Sequence, residues 1–433
     1  MKSLFLLASL GLVVHSSWGE ESWPESTRSL FPSLTGSALE IRQDNRGITL
    51  TFTGTLEAAP TAQGPWSAVP GAVSPYQPAT LESVEFFRAV DSTATGFFDS
   101  RSVASFTVAG PLQAHFNLAF AGMPDGIFPP VREKPYFEGQ VTLGSQQIPV
   151  SLRVRGNSSL QECPFPKLKF KVSRADRAGT PFAEAREVKI GTHCAEGGRG
   201  SIGRLRDERA TFREAVVYEI VDLLGFLAPR VRRAAIEFRD TSPSGESIHG
   251  GWQLTRKAMV LEDAEVVAER LGGRALDDEE VGALRDANFR LQEITELRML
   301  HVLLGNWDFA LSTSGESLWN TDVIQLSNGT YRPMVGDFDL ASWVTAEVRP
   351  NFPHDYLPEL PELDRQARYE LELIQKSVSA EVFQTGRAHF ESHRTALESW
   401  VAAAEVDEPG RTNALNHVTT FFGALSAVSG PRR

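Results

Sequence analysis

Three short stretches carry side chains suited to phosphoryl transfer. That chemistry needs a cation for the phosphates, Asp and Asn side chains for a divalent metal, and a carboxylate to orient the nucleophile. In Phe165-Pro166-Lys167-Leu168-Lys169-Phe170-Lys171-Val172, the two-residue period of a strand sends Lys167, Lys169 and Lys171 to one face and Leu168, Phe170 and Val172 to the other. Such a row meets an anionic ligand or simply faces water, and the residues alone favour water. In Leu303-Leu304-Gly305-Asn306-Trp307-Asp308, a glycine ending an apolar helix lets Asn306 and Asp308 project from a loop, where they bind metal or accept a substrate proton. Asn and Asp also dominate ordinary turns. In Asp337-Phe338-Asp339, two carboxylates one residue apart repel unless a cation or a bend relieves them, which makes a divalent metal attractive; surface carboxylates are the equal alternative.

The elements that position these residues are legible in outline. Strand-like segments at Gln147–Val154, Lys167–Val172 and Val231–Phe238 flank a helical pattern of Phe212, Val216, Val217, Ile220, Leu223 and Leu224, with Gly225 as a stop. Ala264–Leu271 and Ala283–Leu304 read as helices. Val323–Leu326 and Arg332–Val335 read as a hairpin around Asn328-Gly329, a strong turn signal. After Leu360 the chain reads as polar helices, with Leu371, Leu373, Ile374, Val382 and Phe383 as packing positions. Strands first and helices later, with a late hairpin, describe an α+β domain rather than a βαβ repeat. Upstream, alternating runs such as Ile48-Thr49-Leu50-Thr51-Phe52 between Gly and Pro breaks predict a small all-β module over 38–92. A Ser, Thr and Gly-rich linker is expected over 93–110 and the main domain over 111–425.

Bulk properties narrow the setting. Lys2, the apolar stretch from Leu4 to Val14, and small residues Ser16, Ser17 and Gly19 have the form of a secretory signal over 1–19. The apolar run is too short for a bilayer core that needs about 20 residues, so no membrane insertion is expected after cleavage, and the protein is expected outside the cytoplasm, secreted, periplasmic or at the cell surface. The 433 residues carry 43 basic and 55 acidic side chains, a net charge of -12, which argues against general nucleic-acid binding. Arginines nevertheless crowd Arg199–Arg213 and Arg230–Arg239. The two cysteines, Cys163 and Cys194, are most simply a disulfide in an exported chain. Zinc held with His193 lacks a recognisable ligand spacing. No Gly-x-Ser-x-Gly or His-Glu-x-x-His stretch points to a hydrolase.

Taken in order, the motifs resemble those of the CotH family of spore-coat and secreted kinase-like proteins. They are Arg155-Gly156-Asn157-Ser158, Phe165-Pro166-Lys167, Pro229-Arg230-Val231-Arg232, Gly305-Asn306-Trp307-Asp308 and Asp337-Phe338-Asp339, with Asn320 of Leu318-Trp319-Asn320 where the family carries an Asn. The resemblance implies an atypical protein-kinase fold, ATP with Mg²⁺ or Mn²⁺, and exported protein targets or an envelope or surface protein partner. It implies Asp308 as the catalytic carboxylate, Asp337 as principal metal ligand with Asn306, Asn320 and Asp339 in support, and Lys169, or next Lys171, on the nucleotide phosphates. Glu214 and Glu262 are the candidates for a Glu partner of that lysine. The Gly191-Thr192-His193-Cys194 run resembles a subgroup of secreted members, in line with the disulfide.

The chain also departs from the family. Gln253-Leu254-Thr255-Arg256-Lys257 places Arg256 where a Glu is usual, whereas a second register uses Glu262 of Val260-Leu261-Glu262-Asp263. Trp307 replaces a polar residue, and Phe309-Ala310-Leu311 lacks an Arg-His pair. Two other functions stay open: ATP-dependent transfer of another group, adenylyl or amino acid, and a catalytically inactive envelope or surface scaffold.

Overall fold

The structure is a computed structural model. It describes residues 5–8, 12–15, 39–44, 47–52, 55–59, 67–69, 72–78, 86–90, 96–120, 134–156, 163, 165–193, 207–243, 251–311, 318–347, 352–353 and 355–428. The chain divides into two units, Met1–Ser102 and Val103–Arg433. Among the described residues no helix is long and apolar enough to cross a membrane.

In the first unit, Phe5–Ala8 pairs antiparallel with Leu12–His15, inside the expected signal segment, and Leu39–Asp44 pairs antiparallel with Gly47–Phe52. Thr55–Ala59 runs antiparallel to Phe86–Val90. Leu50, Phe52, Leu56 and Phe87 bury one another. Much of this unit lies outside the described residues, so an all-β module stays a proposal.

The second unit begins earlier than the expected linker allows. Ala104–Gly110 (β1) is a barrel strand, because Ala104, Phe106 and Val108 alternate with exposed or half-exposed positions and bury one face. The same alternation was available in the sequence, masked by the neighbouring Ser and Thr. After the helix Leu112–Phe120 (α1) come Phe137–Leu143 (β2), Gln146–Arg155 (β3), Lys167–Lys171 (β4) and Glu187–Thr192 (β5). The helix Ala210–Leu223 (α2) leads to Val231–Asp240 (β6) and Gln253–Glu262 (β7). The seven strands close into a barrel in the order β3-β4-β5-β7-β6-β1-β2. Only the β6–β1 pair is parallel, with Ala234 opposite Ala104. Leu152, Val154, Leu168, Phe170, Ile190, Ile236, Phe238 and Val260 are all buried, as expected of a small barrel filled by its own side chains.

The rest of the unit is mostly helical. Ala264–Arg270 (α3) precedes Gly273–Ala275 (β8), Asp278–Ala283 (α4) and Leu291–Leu304 (α5). Thr321–Leu326 (β9) and Tyr331–Val335 (β10) form the expected hairpin, with Gly329 at φ 80° in its turn. Glu362–Ser377 (α6), Ala380–Ala403 (α7) and Glu408–Val428 (α8) complete the chain. Their apolar faces, including Leu371, Ile374, Phe383, Phe390 and Phe421, join α2 and α5 in one core. Helices and strands thus occupy separate parts of the unit, an α+β arrangement.

The helix expected over Ala283–Leu304 begins instead at Leu291. Asn288 Oδ1 accepts a hydrogen bond from the Arg285 amide, holding a tight turn. Leu284 and Phe289 then pack with Leu318 and Val323 rather than along a helix face.

Gly305 ends α5 in the left-handed region at φ 57°. A Cβ there would lie 2.6 Å from His417 Cε1 and 2.8 Å from Ser342 Cβ. Gly305→Ala combines backbone strain with overpacking, so chemical denaturation should show a loss of about 2 kcal/mol or more.

Candidate active site

The loop after Gly305 is fixed by its own amides. Asn306 is buried, and its Oδ1 accepts from the Asp308 amide at 3.1 Å. That contact sets the carboxamide so that Nδ2 donates to His301 Nδ1 at 3.1 Å. Asp308, half-buried at the cleft wall, accepts from Trp319 Nε1 at 3.0 Å on one oxygen and from Asn320 Nδ2 at 3.1 Å on the other. Asn320 Nδ2 also reaches the Asp308 carbonyl at 2.7 Å. Asn320 adopts φ 51°, a left-handed conformation that Asn tolerates better than most residues. Each Asp308 oxygen keeps lone-pair capacity for one more proton or cation.

The second acidic pair comes from the turn after β10. Gly336 donates to the Asn320 carbonyl at 3.0 Å, tying this turn to the segment that holds Asp308. Asp337 sits at φ 53°, and its amide donates to the Tyr218 hydroxyl at 2.9 Å. Tyr218 is one helical turn beyond Glu214 on α2, so the same helix presents a hydroxyl to this backbone and a carboxylate to the cleft. Tyr218 is held well above its ordinary pKa by burial and by Glu214 and Asp337, so its hydroxyl keeps its proton.

Lys167 reaches both acids, its Nζ lying 3.5 Å from Asp337 and 3.4 Å from Asp339. Burial opposes its charge, but the two carboxylates prevail and raise its pKa. Glu214 is 6 % exposed and is pushed up to about 8, first by burial and then by Asp339, with Lys167 pulling the other way. A carboxyl that holds its proton more tightly when folded stabilises the fold at low pH; the contribution is lost as pH rises from the ordinary carboxylate range through about 8. The thermal midpoint of the chain should therefore fall across that window, and Glu214→Gln should flatten the fall.

Together Lys167, Glu214, Asp308, Asn320, Asp337 and Asp339 line one cleft of about 420 Å³, joined by Arg155, Gly156, Lys189 and Asp322. Four expected residues take other places. Lys169 is buried, paired with Glu187 and, at 3.2 Å, with Asp263, and Lys171 lies 3.2 Å from Glu187. The three lysines do share a face, but acids from β5 and the end of β7 cover all but the first, so Lys167 is the cleft lysine of this strand. Glu262 lines the cleft yet is saturated by Arg230, at 2.7 Å to Nε, and Arg270 at 3.0 Å. Glu214 is therefore the acid left to face Lys167. Asn306 spends its carboxamide on His301 and the Asp308 amide, which makes it a support for the loop instead of a metal ligand.

The sequence alone gives no role to Trp319 as a partner of Asp308 or to Tyr218 as a support for Asp337, and it marks Arg155, now at the cleft wall, only as the start of the Arg155-Gly156-Asn157-Ser158 motif. Trp319 adjoins the chosen Asn320, and Tyr218 lies four residues after Glu214, so spacing offered a hint for both. Asn157, Ser158 and Cys194 lie outside the described residues. Cys163 lines the cleft, is buried and is not free, but its expected pairing with Cys194 stays a proposal.

The acidic residues suit a metal only of a certain kind. Among the described residues no three His, Cys, Asp or Glu side chains converge as a ligand set. Asp337 and Asp339, both close enough to share one ammonium, fit a Mg²⁺-like ion that takes one or two protein carboxylates and completes its shell with water and phosphate oxygens.

No protein-family profile matches the chain, and no curated protein matches it. Among solved structures, the crystal structure of the Helicobacter pylori proinflammatory kinase CtkA is similar over 60% of this chain and 94% of that chain, at 10% identity and a TM-score of 0.30. At that score the likeness carries no argument about fold or activity.

Proposed function

We propose that the chain is a CotH-type atypical kinase that transfers the terminal phosphoryl group of ATP to Ser or Thr hydroxyls of exported proteins. The observation that supports this most is the convergence of Lys167, Glu214, Asp308, Asn320, Asp337 and Asp339, drawn from five separate elements, on one cleft. A structural surface has no need to gather a half-buried lysine and four acids at one place, where burial first and then Asp339 already lift Glu214.

In this reading Lys167 meets the phosphates, and Glu214 holds the far side of its charge. Asp337 and Asp339 hold Mg²⁺ or Mn²⁺, which when bound neutralises charge developing on the phosphate oxygens. Asp308, oriented by Trp319 and Asn320, accepts the proton of the attacking hydroxyl. The hydroxyl oxygen bonds to the terminal phosphorus as that phosphorus separates from the bridging oxygen, and ADP departs with the bond electrons. Asn306 and His301 keep the Asp308 loop in shape.

The test incubates the purified chain and a mixture of exported proteins with ATP labelled at the terminal or at the first phosphate, in Mn²⁺. Label transferred only from the terminal phosphate supports a kinase. Transfer from the first phosphate replaces it with adenylyl transfer, and no transfer from either leaves a binding scaffold.

A further inference from the structure

A second cavity of about 610 Å³ lies behind the Asp308 loop, among α5, α6 and α8. Its walls are mainly apolar, with Ile294, Val302, Trp307, Phe309, Ile374 and Phe421 among them. None of the acids or lysines assigned to phosphoryl transfer lines it; Asn306, the loop support, does.

One wall residue is chemically incomplete. His301 is 1 % exposed and stacks on Phe309 at a centroid distance of 3.6 Å, nearly parallel. Its Nδ1 accepts from Asn306 Nδ2, whose orientation is set by Oδ1 accepting from the Asp308 amide. The neutral ring must then carry its proton on Nε2, and burial keeps the ring neutral by pulling its pKa down to about 3. Among the described residues Nε2 has no hydrogen-bond partner. The other cavity histidine, His417, differs because its Nε2 lies 3.1 Å from Ser342 Oγ. A buried N–H without an acceptor is costly, and an acceptor brought by a ligand recovers that cost. A cavity with mainly apolar walls and a few polar groups, here including His301, Arg298, Gln366 and Glu370, is the usual form of a small-molecule site.

We infer that this cavity is a binding site for an apolar small molecule carrying one neutral hydrogen-bond-accepting oxygen, which His301 Nε2–H recognises. The Arg298 guanidinium and the Glu370 carboxylate both line the walls and offset each other, so a neutral carbonyl suits the cavity. The site is independent of the nucleotide reading, because it needs neither ATP nor metal. Through His301 and Asn306 it adjoins the loop that carries Asp308.

The probe pair is 4-phenylbutan-2-one and butylbenzene, which share a frame and differ in the carbonyl. Calorimetric titration of the full chain should show saturable one-site binding of the ketone, about tenfold tighter than the hydrocarbon. The His301 Nε2–H nitrogen resonance should move on ketone addition only. Thr420→Trp, which fills the cavity from α8, should abolish binding of both probes while far-ultraviolet circular dichroism and the response to ATP stay unchanged. Ser377→Trp, from the end of α6, serves if the first variant does not fold. Failure of the ketone to bind, or binding that survives the filled cavity, overturns the site. Equal affinity for the two probes overturns the role of His301.

Discussion

Asp308→Asn is expected to lower phosphate transfer about a thousandfold, the usual order for loss of a positioned general base, with little change in nucleotide affinity. The substitution keeps the shape of the side chain. Trp319 and Asn320 both donate to Asp308, and an amide offers one acceptor where the carboxylate offers two. One donor is left facing an NH₂ group, so the loop shifts slightly as the proton acceptor is lost. Single-turnover kinetics with a fixed peptide substrate would separate the chemical step from binding. An equal fall in affinity and rate would show that Asp308 holds the nucleotide and does not receive a proton.

Lys167 and Lys169 should fail in different ways. Lys167→Met removes the ammonium that faces Asp337, Asp339 and Glu214 in the cleft, so nucleotide affinity should fall about tenfold or more, the worth of a charge-assisted hydrogen bond. Its effect on stability is softened because it also leaves the cleft acids free to spread. Lys169→Met instead leaves Glu187, 1 % exposed, and Asp263 short of their shared cation. Breaking a buried pair costs about 3 kcal/mol, with Lys171 and Lys189 as the remaining partners. That variant should melt earlier but bind nucleotide unchanged once folded. Paired melting curves and titrations distinguish the two; loss of binding in Lys169→Met would return the phosphate role to Lys169.

That contrast also marks where sequence reading stops. Alternation places Lys167, Lys169 and Lys171 on one face correctly, because the period of a strand is local. Which of them meets the cleft depends on Glu187 and Asp263, set opposite by the pairing of β4 with β5 and β5 with β7, and register across strands is not written in any one of them. Glu214 and Glu262 divide for the same reason, since Arg270, one of the two partners of Glu262, comes from the far end of α3. Asp308, Asp337 and Asp339 were easier to place because each follows a local stop: Gly305 after a helix, and Gly336 after a strand. Asn306 carried the same local signal yet turned inward, because the Asp308 amide two residues on offered it a partner. The start of the main unit was missed where Ser and Thr between Ala104, Phe106 and Val108 imitate a linker.

The proposed kinase requires above all that Lys167, Asp337 and Asp339 form a metal-dependent nucleotide site. Calorimetric titration of ATP into the chain with Mn²⁺, repeated in chelator and with Asp337→Ala, tests it most directly. One saturable site that needs Mn²⁺ and is lost in Asp337→Ala is the expected result. Absence of ATP binding in the unaltered chain, or equal binding by Asp337→Ala, would contradict it.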